Sequence, residues 1–127
     1  MSSTPTHGLI LFAHGARDPA WAAPFERLRA LTQAAMPDTD VQLAFLELMQ
    51  PDLPTLAARQ VAHGVQRITV VPVFLGQGGH VRCDLPQLLA QLRQAHPQVH
   101  IATVPAAGED EAVLQALAAY CVSAARA

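Results

Sequence analysis

The chain contains no lysine, so all eight of its cationic side chains are arginines. Charge of either sign is scarce: 14% of the 127 residues carry it, and the net value is −2. A surface of that kind has no basic field with which to attract nucleic acid or an acidic membrane. Cysteine is nearly absent. Cys83 and Cys121 form no CxxC pair, which argues against a disulfide framework and against a zinc knuckle, and points to the cytoplasm. The first apolar run, Gly8 to Ala13, is far too short to cross a bilayer, which takes about 20 residues, and no basic signal-peptide start precedes it. There is no GxGxxG, no glycine loop closed by Lys-Ser/Thr and no GxSxG elbow, so nucleotide and serine-hydrolase readings are poor.

What the chain has is apolar residues, 51% of the total, enough for the core of one domain spanning 1–127, with the polar residues 1–6 expected to be disordered. Strands are expected at Gly8–Ala13, Val41–Leu48, Ile68–Leu75 and Val99–Val104. The third run is dense in β-branched residues and reads as a strand buried on both faces. Helices fall between them. Pro24 to Ala35 presents Phe25, Leu28, Leu31 and Ala35 on one stripe, after a turn at 18–23. Asp52-Leu53-Pro54 caps and opens a second helix that Gly64 stops, and Asp84-Leu85-Pro86 repeats that start for a third. A last, Ala-rich helix covers Glu109 to Arg126. Alternation of this kind implies a three-layer α/β/α fold: a doubly wound, mainly parallel four-stranded sheet with helices on both faces, most simply in the order 2-1-3-4.

That order places strands one and three side by side at the switch point, where open α/β sheets bind ligands beyond the carboxyl ends of their strands. His14 follows strand one and His80 follows strand three, after the turn Gly76-Gln77-Gly78-Gly79. Glu47 closes strand two. Two imidazoles and a carboxylate around open positions suit a divalent ion from iron to zinc. The competing reading of each histidine is a solvated loop residue, and of Glu47 an exposed acid ahead of a helix. His7, His63, His96 and His100 read as structural or surface residues, two of them closing helices. The 76–79 amides can cradle an anion. Arg17 and Arg82 can pair with carboxylates through bidentate hydrogen bonds. Cys83, close by, reads as a bystander thiol.

Three blocks in order, His14-Gly15-Ala16-Arg17-Asp18-Pro19, Phe45-Leu46-Glu47-Leu48-Met49-Gln50-Pro51, and Val71-Pro72-Val73-Phe74-Leu75-Gly76 with Gly79-His80-Val81 and Asp84-Leu85-Pro86, resemble the sirohydrochlorin chelatases, the small single-domain branch of the class II chelatases. Ala16 stands where that family usually has serine, and Gln50 where an acid is common. The resemblance implies a lyase that inserts a divalent metal into the tetrapyrrole sirohydrochlorin, without ATP, in cobalamin or siroheme biosynthesis. It implies metal contacts from His14, His80 and Glu47, with Glu47 as ligand, base or both. It implies a macrocycle lined by Phe74, Leu75, Gly76, Gln77, Gly78 and Gly79, carboxylate partners in Arg17 and Arg82, no organic cofactor, and a homodimer. The ligand set does not choose among cobalt, iron and nickel. A non-enzymatic metal carrier using the same histidines is the rival reading. A flavodoxin-like module holding an anionic cofactor at the 76–79 turn is a weaker one.

Overall fold

The structure, a computed structural model, describes residues 5–76 and 78–127, with residues 79–83 described in their backbone alone. Four strands, β1 (His7–Ala13), β2 (Asp40–Phe45), β3 (Arg67–Pro72) and β4 (His100–Thr103), form one wholly parallel sheet in the order β2-β1-β3-β4. Leu11, on the central strand, stands opposite Leu43 and Val71. Four helices connect and follow the strands: α1 (Ala23–Ala35), α2 (Leu53–Ala62), α3 (Gly79–Ala95) and α4 (Glu111–Ala125), with short 3-10 turns at Pro19–Ala22 and Ala107–Glu109.

Period-two alternation sorts the sheet's side chains between two layers. On one face Ile10, Phe12, Ile68, Val70 and Ile101 pack under Leu53, Leu56 and Ala57 of α2 and Leu85, Leu89 and Leu92 of α3. On the other, Leu11, Val41, Leu43 and Phe45 meet Trp21, Ala22 and Phe25, so α1 covers the β1–β2 half. Among the described residues no helix lies over the β3–β4 half of this second face. Thr69, Val71 and Ala102 are accordingly only half-buried.

Several expectations are corrected by the structure. β3 is buried fully on one face, not on both. Leu28 and Leu31 do not face a core; they are 38% and 51% exposed, whereas Phe25, Arg29, Ala30, Thr32 and Gln33 are the half-buried positions of α1. β2 ends at Phe45 and β3 at Pro72, short of Leu48 and Leu75. A proline has no N–H for the ladder, and only the Val73 N–H, 2.9 Å from the Phe12 carbonyl, extends the pairing beyond it. α3 starts at Gly79, not at Asp84: Gly78 takes an extended conformation (φ −70°, ψ 167°) at the N-cap, and the helix runs through Pro86 despite the lost donor and the crowding of the preceding turn that an interior proline brings. His80 therefore stands in the first turn of α3 and not on a loop. His7 belongs to β1. His63 and His96 occupy the C-cap positions expected of them.

Candidate functional site

His14 and Glu47 meet beyond the carboxyl ends of β1 and β2. The two strands stay in register past their last residues, because the Leu46 N–H donates to the Ala13 carbonyl (2.9 Å) and the Glu47 N–H to the His14 carbonyl (3.1 Å). The side chains then converge, His14 Nε2 lying 3.1 Å from Glu47 Oε1, each side chain 45% exposed. Gly15 makes this possible. Its φ is +98°, and a Cβ there would overlap the Glu47 carbonyl oxygen, so only glycine lets the two loops touch. Past Glu47 the chain reverses at once: Leu48 has φ 66°, the Met49 N–H donates back to the Glu47 carbonyl at 2.8 Å, and the Gln50–Pro51 bond is cis. Asp52, its carboxylate accepting from the Thr55 N–H at 2.9 Å, then caps α2.

The third contributor comes from β3. After Pro72 the chain passes through Val73, half-buried Phe74, exposed Leu75 and Gly76 to the N-cap of α3. The first-turn N–H groups of α3, unsatisfied within the helix, thus stand at the carboxyl end of the sheet. A residue that the sequence reading missed fixes this loop from below. The Gly108 N–H donates to the Phe74 carbonyl at 3.0 Å, and a Cβ at Gly108 would overlap the Leu75 backbone. The signal was there, a glycine in the loop after β4, but its contact is long-range and no local pattern announces it.

Of the expected site residues, the described structure brings His14 and Glu47 together and sets Phe74, Leu75, Gly76 and Gly78 near the start of α3. Arg17 is exposed in the loop after β1. Gln77 and the side chains of His80, Arg82 and Cys83 lie outside the described residues. Among the described residues, no group of three or more His, Cys, Asp or Glu gathers into a metal cluster. Below His14 an apolar cleft of about 650 Å³ runs along the uncovered sheet face, floored by Leu9, Leu11 and Val71 and walled by Trp21, Phe25 and Leu28. An exposed imidazole held beside a carboxylate can accept a soft divalent ion, and the carboxylate can bind the same ion or take a proton.

Residues 8–123 match the CbiX family model. The chain belongs to the CbiX family. The sirohydrochlorin cobaltochelatase of Methanocaldococcus jannaschii is 31% identical over 88 residues, which are 69% of this chain and 62% of that protein. The chain therefore spans about three fifths of the length of the curated relatives it matches first (62%, 57% and 57%). Among solved structures, a CbiX protein from Marinobacter aquaeolei VT8, ascribed to cobalamin (vitamin B12) biosynthesis, superposes with a TM-score of 0.84 at 32% identity, covering 94% of this chain and 98% of that one. SirB from Bacillus subtilis with Fe3+ superposes with a TM-score of 0.74 at 27% identity, covering 87% of this chain but 44% of that one. The three-layer fold and the strand order match these CbiX and SirB structures.

Proposed function

We propose that the protein inserts a divalent metal ion, cobalt or iron, into sirohydrochlorin without ATP. The observation that carries this reading is the His14–Glu47 pair, 3.1 Å apart at the carboxyl ends of neighbouring strands, in a chain that matches the CbiX family over 8–123. Relatives named as cobaltochelatases and a ferrochelatase, and SirB structures with Fe3+ and with cobalt, support the choice of metals. The metal is a substrate here, and no organic cofactor takes part.

Insertion requires the metal to shed water and the macrocycle to lose two pyrrole protons. In this proposal His14, with His80 from the first turn of α3, holds the ion through neutral imidazole nitrogens, firmly enough to desolvate it and loosely enough to release it. Glu47 binds the ion or accepts a pyrrole proton, a step for which a positioned base contributes about 10²–10⁴-fold. Phe74, Leu75, Gly76, Gln77, Gly78 and Gly79 line one face of the macrocycle, while Arg17, Arg82 and the first-turn amides of α3 receive its carboxylates. Two copies act together: one copy of this chain accounts for 44% of the SirB chain, so a pair supplies about what the longer protein holds in one polypeptide. A cytoplasmic setting belongs to the same proposal and fits the free thiol of Cys121.

The test is the absorption change of sirohydrochlorin on adding cobalt(II) or iron(II), with wild type and with His14→Ala, His80→Ala and Glu47→Gln. The expected result is acceleration over the uncatalysed rate that collapses in the histidine variants and falls at least about 100-fold in Glu47→Gln. The carrier reading wins if wild type binds metal through these histidines and leaves the uncatalysed rate unchanged.

A further inference from the structure

The outer edge of β2 is closed at both ends and open in the middle. β2 lies at the border of the sheet, so every second residue turns its N–H and C=O away from β1. Those residues are Val41, Leu43 and Phe45. α1 serves the first: Gln33 Oε1 accepts from the Val41 N–H at 3.1 Å, and Arg29 Nη1 donates to the Val41 carbonyl at 3.2 Å. The turn after β2 serves the last, where the Pro51 carbonyl accepts from the Phe45 N–H at 2.9 Å. Leu43 stands between them, only 8% exposed, and neither its N–H nor its carbonyl has a partner among the described residues. Backbone groups on a buried residue are rarely left so, and a bare strand edge is ordinarily paired or covered.

A recess of about 430 Å³ opens over Leu43. α1 lines it with Glu26 and Arg29, α2 with Arg59, and the turn after β2 with Gln50 and Pro51. α1 and α2 lie on opposite faces of the sheet, so the two guanidinium groups approach the edge from either side. Among the described residues neither arginine forms an ion pair. Arg29 gives one N–H to Val41 and keeps the rest of its donor fork. Arg59 acts on Asp52 only at a distance and makes no hydrogen bond. Glu26, one turn before Arg29 on the same side of α1, is not paired with it either.

We propose that this recess binds an acidic α-amino acid. Its two carboxylates pair with Arg29 and Arg59, one on each side of the edge, and one of them also accepts from the Leu43 N–H. Its ammonium group donates to the Leu43 carbonyl and to Glu26. A peptide strand does not fit, because Arg29 and Pro51 already occupy the edge on either side of Leu43 and leave no run of backbone to pair with. A plain anion fits less well, because it leaves the Leu43 carbonyl without a donor and sets negative charge beside Glu26. The site is separate from the His14–Glu47 pair, yet it shares a loop with it. Gln50 and Pro51 belong to the turn that carries Glu47, so an occupant steadies that turn.

The test uses L-glutamate and L-aspartate, titrated into the metal-free protein by calorimetry and by amide NMR. No tetrapyrrole takes part, so the result is independent of the chelatase reading. One saturable site is expected, with the Leu43 amide among the resonances that move. Because Arg59 is exposed and makes no hydrogen bond, Arg59→Gln keeps the fold. It is expected to weaken binding about 10–100-fold, the loss of one charge-assisted contact. Glu26→Gln is expected to weaken glutamate binding and to leave glutarate, which lacks the ammonium group, no weaker than with wild type. The proposal is overturned if neither amino acid saturates, or if affinity survives Arg59→Gln with the Leu43 amide unmoved. Glutarate binding wild type as tightly as glutamate also overturns it, since the ammonium contacts would then count for nothing.

Discussion

Gly15 and His7 show how single residues govern this molecule without touching a substrate. At Gly15 the backbone has positive φ and presses on the Glu47 carbonyl, so any side chain pushes apart the loops that carry His14 and Glu47. Gly15→Ala is expected to cost about 1–3 kcal/mol in urea unfolding and to slow metal insertion, although it removes no functional group. His7 acts through pH. Burial first, then the neighbouring Arg67, hold its pKa below the ordinary value of 6.5. A depressed histidine pKa means that the unfolded chain takes up the proton more readily, so stability is complete above 6.5 and declines as pH falls from there toward the folded value. Replacing His7 with Gln is expected to flatten the unfolding midpoint across that interval, as thermal scans at a series of pH values would reveal.

At the scale of elements, caps and glycines decide where helices begin. The α2 start was readable because its determinants are local: Asp52 accepts from the Thr55 N–H, and Pro54 costs nothing in a first turn. Those hydrogen bonds hold the Asp52 carboxyl below its usual 3.8, so its contribution is present above that value and disappears as pH falls through the lower folded one. Asp52→Ala is expected to lower stability by about 1 kcal/mol at neutral pH, with the difference from wild type vanishing in acid. The α3 start is hidden for the complementary reason. Asp84-Leu85-Pro86 copies the pattern at Asp52, while the true N-cap, Gly78, has no side chain to declare it. Strand order and the meeting of His14 with Glu47 were legible because apolar runs and parallel crossovers leave few topologies. Gly108 was not, since its role depends on a contact with Leu75 across the fold. Gly108→Ala is expected to displace the 74–76 loop and weaken tetrapyrrole binding, measured by fluorescence titration, while metal binding in the absence of tetrapyrrole stays near wild type.

For the whole molecule, the uneven covering of the sheet matters most. One face is closed by α2 and α3; the other is closed over β1–β2 and open over β3–β4. That asymmetry explains why a run as apolar as Val70-Val71 contains one buried and one half-buried residue. In the proposed homodimer, folding and association are one equilibrium, and stability depends on protein concentration. Tenfold dilution is expected to lower the thermal midpoint by about 2–4 °C, whereas a lone copy would show no dependence. The turn that leads into α4 is also the turn whose Gly108 secures the Phe74–Leu75 loop at the mouth of the site. The rim of the site is thus tied, through a single glycine, to the start of the last helix.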